Sequence, residues 1–140
     1  MVKSRISDAL SSYKSISVSS AVEDATPHRL IQMLMEGALD KIATAKGYML
    51  HHNAAEKGRH ISWAISIISG LQASLDKEAG GEISANLDDL YDYMVRRLGQ
   101  AGATNSPEIL DEITALLVEV KSAWDVIPRQ LAVQAKQAAY

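Results

Sequence analysis

Apolar residues recur three or four positions apart in four stretches of the chain, the spacing of one face of an α-helix. They predict helices over about residues 27–50, 54–77, 82–101 and 107–127. The repeating positions are Ile31, Leu34, Ala38, Ile42, Ala45 and Met49 in the first helix, Ile83, Leu87, Leu90, Tyr91, Met94 and Leu98 in the third, and Ile109, Ile113, Leu116, Val120, Trp124 and Ile127 in the last. No stretch alternates apolar and polar residues as a strand does. Short loops make neighbouring helices antiparallel, so we predict an all-α, antiparallel four-helix bundle with a short N-terminal helical segment.

Local signals mark where these helices begin and end. Thr26-Pro27 and Ser106-Pro107 suit helix starts, because the hydroxyl can cap the first turn and proline lacks an N–H that is not needed there. Gly80-Gly81 separates the second and third predicted helices, since glycine enters turns at little cost. Pro128 ends the last helix. We therefore divide the chain into a short helix and linker over residues 1–26, a bundle over 27–128 and a mobile extension over 129–140.

Composition narrows the class of protein. The chain has 140 residues, of which 47% are hydrophobic, so it can bury one continuous core. Its formal net charge of −3 argues against a nucleic-acid partner, which normally requires a basic face. No apolar run approaches the length of a membrane span, and no signal segment follows Met1, so we expect a cytoplasmic protein without membrane insertion. The absence of cysteine excludes disulfides and thiolate chemistry.

Candidate catalytic and metal-binding residues form no known constellation. A di-iron bundle needs Glu-x-x-His on two helices, and the sequence contains none. Glu56 and His60 are four residues apart on one helix, with no further ligand pair. Glu36 and Asp40 have the same spacing and are expected on a solvent-exposed helix face. The His51-His52 pair has no third metal ligand nearby. The sequence also lacks a phosphate-binding glycine loop. We predict a protein that is not an enzyme and has no cofactor or metal.

A histidine phosphotransfer bundle is the best catalytic alternative. Such a domain places an exposed histidine in mid-helix, beside a lysine and a glycine that leave room for the phosphoryl group. His28 lies in a first helical turn, and His60 is followed by Trp63 and Ala64. Neither setting fits that chemistry.

Some apolar residues lie outside the main helical stripes. A helix turns by about 100 degrees per residue, which places these residues to one side of the main apolar stripe of their own helix. Two neighbouring helices with such widened apolar faces can line a groove for a partner helix. This predicted contact set consists of Met35, Leu39, Leu50, Trp63, Ile67 and Tyr93. The alternative is that a wide apolar face belongs to a helix buried on two sides.

Three separated segments resemble the FliS family of flagellin-specific export chaperones. They are ATPHRLIQML over residues 25–34, Gly80-Gly81 with LDDLYDYMVRRL over residues 87–98, and the last helix from Glu112 to Ala123-Trp124. Tyr13-Lys14 before a Ser/Val-rich linker is also similar, and the resemblance covers about residues 8–127. The chain departs from the family at Met35, where an aromatic residue is common, and in its longer tail after Pro128.

The resemblance implies a cytoplasmic helical bundle that binds the disordered C-terminal segment of flagellin. Binding would prevent premature polymerisation, and the chaperone would then deliver flagellin to a component of the flagellar type III export gate. A generic scaffold or regulatory bundle that binds another amphipathic helix is the alternative. A pull-down from the cytosol of a motile cell distinguishes the two.

The N-terminal segment predicts a cover for the partner-binding surface. Ile6, Leu10 and Tyr13 form one apolar stripe on a helix too short to be stable alone. An empty apolar groove exposed to water invites aggregation. We expect this stripe to cover part of the groove until a client displaces it.

Overall fold

The computed structural model describes residues 26–127 and contains four α-helices in that range: α1 (Pro27–Leu50), α2 (Ala54–Ala73), α3 (Lys77–Thr104) and α4 (Pro107–Asp125). The described part has no strand, and the predicted all-α bundle is confirmed. The predicted N-terminal helix and linker, its stripe Ile6, Leu10 and Tyr13, and the predicted extension over 129–140 lie outside the described residues.

Side-chain caps explain where α1, α2 and α3 begin, whereas Ser106 at the start of α4 makes no capping hydrogen bond through its side chain. Thr26 accepts a hydrogen bond from the backbone N–H of Arg29 at 3.1 Å, with Pro27 opening α1 as predicted. Asn53 accepts from the N–H of Glu56 at 3.2 Å at the start of α2. At each position a side-chain oxygen satisfies a backbone donor that has no partner within the helix.

The junction between α2 and α3 differs from the prediction. α2 ends at Ala73 rather than near residue 77, and a short helical stretch from Lys77 precedes the glycines. The non-helical Gly81 separates that stretch from the long helical segment that follows, as the glycine pair predicted. Asp76 caps α3 by accepting from the N–H of Ala79 at 3.0 Å, so helical structure restarts before the glycines. Gly81, at φ 53° and ψ −126°, then kinks α3 internally. Because Asp76 caps α3, the junction between α2 and α3 lies at residues 74–76.

α1 and α4 run in opposite directions. The start of α1 meets the end of α4, where the rings of His28 and Trp124 stack with centroids 4.9 Å apart. Near the end of α1, the Lys46 ammonium lies 2.8 Å from the carboxylate of Asp111 in the first turns of α4.

α2 and α3 are also antiparallel. Gln72 near the end of α2 donates to the Asp88 carboxylate at 3.0 Å, and Lys57 near the start of α2 donates to Asn105, just after α3, at 2.6 Å. Each helix packs against two others, α1 on α2 and α4, and α3 on α2 and α4. The four helices therefore form a closed ring around one core.

Packing of this core is uneven along the bundle. α1 and α2 bury residues along their length, but α3 buries apolar side chains only from Tyr91 onwards and α4 only up to Leu117. The first half of α3 and the last part of α4 lie at the same end of the bundle, which we call the open end. Their apolar residues there are half-buried or exposed, and that incomplete burial forms the candidate site.

Replacing Gly81 with alanine is expected to destabilise the protein by about 1–3 kcal/mol, because a side chain at φ 53° is strained. Gly99 provides the matched control, since it is an exposed residue of the same helix with nothing within 4 Å of an added Cβ. Gly99→Ala should stabilise the protein by about 0.5–1 kcal/mol. Chemical denaturation measures both, and changes of the same sign would contradict the kink.

Candidate functional site

A groove of about 1060 Å³ opens at the open end of the bundle, where α1 and α3 begin and α2 and α4 end. All four helices contribute mainly apolar side chains to it. The large apolar residues that line it are Ile31, Met35, Leu71, Leu75, Ile83, Leu87, Tyr91, Val120, Trp124 and Ile127. A concave apolar surface of this size suits a partner's apolar side chains.

The most exposed part of the groove belongs to the first half of α3. Ile83 is 72% exposed, the largest exposed fraction among the exposed large apolar residues of the described chain. Leu87, one turn later, is half-buried, and Tyr91, a further turn on, is buried at the inner end. Burial raises the pKa of Tyr91 to about 12, so its phenol is neutral at physiological pH. Exposure thus falls along α3 from the rim of the groove to its interior.

The kinked first turn of α3 forms one edge of the groove. Asp76, Gly80 and Ser84 all line it, and the Ser84 hydroxyl donates to the Asp76 backbone carbonyl at 2.9 Å. A Cβ on Gly80 would come within 1.8 Å of the Ser84 oxygen. The close approach of this turn to Ser84 therefore requires glycine at position 80.

Contacts between the start of α1 and the end of α4 form the opposite edge of the groove. The His28 and Trp124 rings are nearly parallel, at 6°, and the indole N–H donates to the His28 carbonyl at 3.1 Å. His28 Nε2 lies 2.7 Å from the Trp124 carbonyl oxygen, which can only accept, so this nitrogen carries the proton. Gln32 adds a hydrogen bond to Asp125 at 2.8 Å. These contacts hold Trp124 in the wall of the groove.

The predicted contact set is divided among different environments. Met35 lines the groove, although it is almost fully buried. Ile67 has no exposed surface, so it cannot touch a partner in this arrangement, and Leu39 packs half-buried against the core. Leu50 is 57% exposed at the other end of α1, away from the groove. Of the widened face predicted for α1 and α2, Met35 and Ile67 therefore belong to the core, and α1 packs on both α2 and α4. Contact of the whole set with a partner stays a prediction.

Trp63 belongs to the interface between α1 and α2. The Lys41 ammonium lies 3.9 Å from the centre of a Trp63 ring, and the His60 ring is 5.9 Å away. Its indole Nε1 is buried and has no hydrogen-bond partner within residues 26–127. The half-buried Trp63 does not line the groove, and its binding role stays a prediction.

Tyr93 lies between α3 and α4, also outside the groove. Its hydroxyl donates to the Glu112 carboxylate at 2.5 Å, and Arg97 donates to the same carboxylate at 3.1 Å. The hydrogen bond from Tyr93 is the main cause that lowers the pKa of Glu112, and it raises the pKa of Tyr93. Arg96 pairs with Asp92 at 3.1 Å within α3. Both arginines therefore pair with carboxylates of the bundle itself.

The sequence pattern missed most of the groove. Helical spacing predicts core positions for Ile83, Leu87, Val120 and Trp124, and it gives His28 no part in a groove. Periodicity shows that these residues face inward, but it does not show whether a neighbouring helix covers them. The groove forms only where the start of α3 and the end of α4 come together in the folded bundle.

Residues 26–127 contain neither a cluster of metal ligands nor a membrane-spanning helix. No three histidine, aspartate or glutamate side chains within 26–127 gather as metal ligands would. None of α1 to α4 is long and apolar enough to cross a membrane.

Comparison with known proteins gives one consistent result. The family model of the flagellar protein FliS matches residues 9–131. The chain is 50% identical over 119 residues to the flagellar secretion chaperone FliSB of Pseudomonas aeruginosa, covering 85% of this chain and 94% of that relative. It is 42% identical to the flagellar secretion chaperone FliS of Vibrio cholerae, covering 86% of this chain and 88% of the relative. The corresponding protein of Salmonella typhimurium is 44% identical, with coverage of 84% and 88%.

Proposed function

The chain belongs to the FliS family of flagellar proteins, and we propose that it binds the C-terminal segment of flagellin in the groove at its open end. Membership in a family of secretion chaperones makes it a chaperone rather than an enzyme, as predicted. In our proposal it acts in the cytoplasm, prevents premature polymerisation of flagellin and hands it to a component of the type III export gate.

The observation that carries this proposal is the exposed apolar lining of the groove. Ile83 is 72% exposed beside Leu87 and Trp124, so apolar side-chain surface is in unfavourable contact with water. A helix laid into the groove would remove that surface from water, at about 25 cal/mol per Å² of apolar area. Ordering a disordered segment offsets much of this gain. The balance favours reversible binding, which a client that must be released requires.

A titration with a synthetic flagellin C-terminal segment tests the proposal. We expect one-to-one binding and a gain of helical circular dichroism beyond the sum of the separate components, because the segment orders on binding. A peptide of the same composition in scrambled order, which lacks the apolar stripe, is the control. Equal binding of the two peptides, or no binding of either, would refute the proposal.

Deleting residues 1–14 is expected to tighten client binding by about tenfold, at 1.4 kcal/mol per decade. We propose that Ile6, Leu10 and Tyr13 cover part of the groove without a client, so their removal ends a competition worth roughly 1–3 kcal/mol. The free protein should also self-associate more readily. Calorimetric titration and sedimentation measure the two effects. A loss of stability without a gain in affinity, or no effect on either, would contradict the cover.

A further inference from the structure

Four carboxylates that have no ion-pair partner among residues 26–127 lie in the groove or close to it in sequence. Asp76 and Glu119 line it from α3 and α4, and Glu78 and Glu82 are exposed on the kinked turn beside it. Within residues 26–127, none of these four carboxylates has a lysine, arginine or histidine nitrogen within 4.0 Å. Asp76 accepts the N–H of Ala79, which leaves its charge uncompensated. The rim of an otherwise apolar groove is therefore negative.

Among residues 26–127, the basic side chains nearest in sequence to the groove do not neutralise this rim, because each pairs with a different carboxylate. The pairs are Arg29 with Glu36 at 3.1 Å, Lys77 with Asp88 at 3.3 Å and Lys121 with Asp125 at 2.8 Å. No lysine or arginine of the described residues lines the groove itself. Within that part of the chain, no cation neutralises the rim, so its charge can meet a cationic partner.

We infer that the segment accepted by this groove is an amphipathic helix with lysine or arginine side chains beside its apolar stripe. This inference rests on the proposed function and adds the charge of the partner. The apolar stripe would fill the groove, while the flanking cations meet Glu82 on α3 and Glu119 on α4. Opposite charges at the rim of an apolar cleft steer association and fix register, and their effect falls as salt rises.

A matched pair of synthetic helical peptides tests this inference on the full chain. Both carry the same leucine stripe, and the residues flanking it are lysine in one and glutamate in the other. We expect the lysine peptide to bind more tightly at low salt. The advantage should shrink near 1 M salt, where the screening length falls to about 3 Å.

The double variant Glu82→Gln/Glu119→Gln is expected to weaken binding of the lysine peptide by roughly three- to tenfold, as two rim ion pairs predict. Glu108→Gln is the matched control, because Glu108 is exposed on α4 but about 16 Å along the helix from Glu119. That distance exceeds the screening length of about 8 Å at physiological salt. The control should bind both peptides as the unmodified chain does.

Four results would overturn the inference. If the double variant keeps the preference for the lysine peptide, these carboxylates do not cause that preference. If the variant binds both peptides more tightly, the carboxylates hold a segment of this chain instead. If the flagellin segment binds but its Kd is unaffected by the variant, the charge inference falls while the proposed function stands. If the unmodified chain binds neither the helical peptides nor the flagellin segment, both the charge inference and the proposed function are refuted.

Discussion

Replacing Ile67 with glutamate is expected to unfold the protein or lower its melting temperature by more than about 10 °C. Ile67 is fully buried in the core cluster of the bundle. An uncompensated buried charge costs roughly 3–5 kcal/mol, a large share of the 5–15 kcal/mol by which proteins are typically stable. The sequence pattern alone had placed Ile67 among partner contacts, where the same change would leave the melt nearly unchanged. A thermal melt followed by circular dichroism measures the effect.

Two further variants separate burial from charge. Ile67→Val keeps the site apolar and should cost about 0.5–1.5 kcal/mol. Leu50→Glu adds the same charge at a residue that is 57% exposed, and it should change stability by no more than about 0.5 kcal/mol. An Ile67→Glu protein that melts like the unmodified chain would show that Ile67 is not part of the core.

Replacing Ile83 with glutamate is expected to weaken binding of the flagellin segment by roughly 100-fold or more while leaving the melt nearly unchanged. The exposed side chain at position 83 contributes little to the core, but a client in the groove would cover it. The added charge would then be desolvated without a partner, at a cost of about 3 kcal/mol or more. Ile83→Ala, which removes area without adding charge, should weaken binding by about tenfold.

Leu50→Glu serves as the binding control for this experiment. Leu50 is a large exposed apolar residue like Ile83, but it lies at the opposite end of the bundle and outside the groove. It is also a member of the predicted contact set. Weak binding by Leu50→Glu with normal binding by Ile83→Glu would move the client site to the surface that the sequence pattern indicated.

The sequence by itself determined the local features of this protein. Apolar spacing identified four helices. Pro27 and Pro107 located two of their starts, because proline geometry depends only on adjacent residues, and Thr26 caps its helix as predicted whereas the Ser106 hydroxyl makes no capping hydrogen bond. Tyr91 was correctly placed in the core, since its position lay on the central stripe of its helix. The separated FliS-like segments also identified the family, which the comparisons confirm.

Only the tertiary structure decided which apolar residues are covered. Ile67 and Ile83 are both isoleucines on helices with an apolar face, yet one is fully buried and the other is 72% exposed. Spacing along a helix reports the direction of a side chain, whereas burial depends on whether a neighbouring helix lies opposite it. α1 and α2 keep apolar residues buried along their length, but the first half of α3 and the last part of α4 leave theirs incompletely covered. The groove therefore arises from the relative positions of four helices, which no single stretch of sequence encodes.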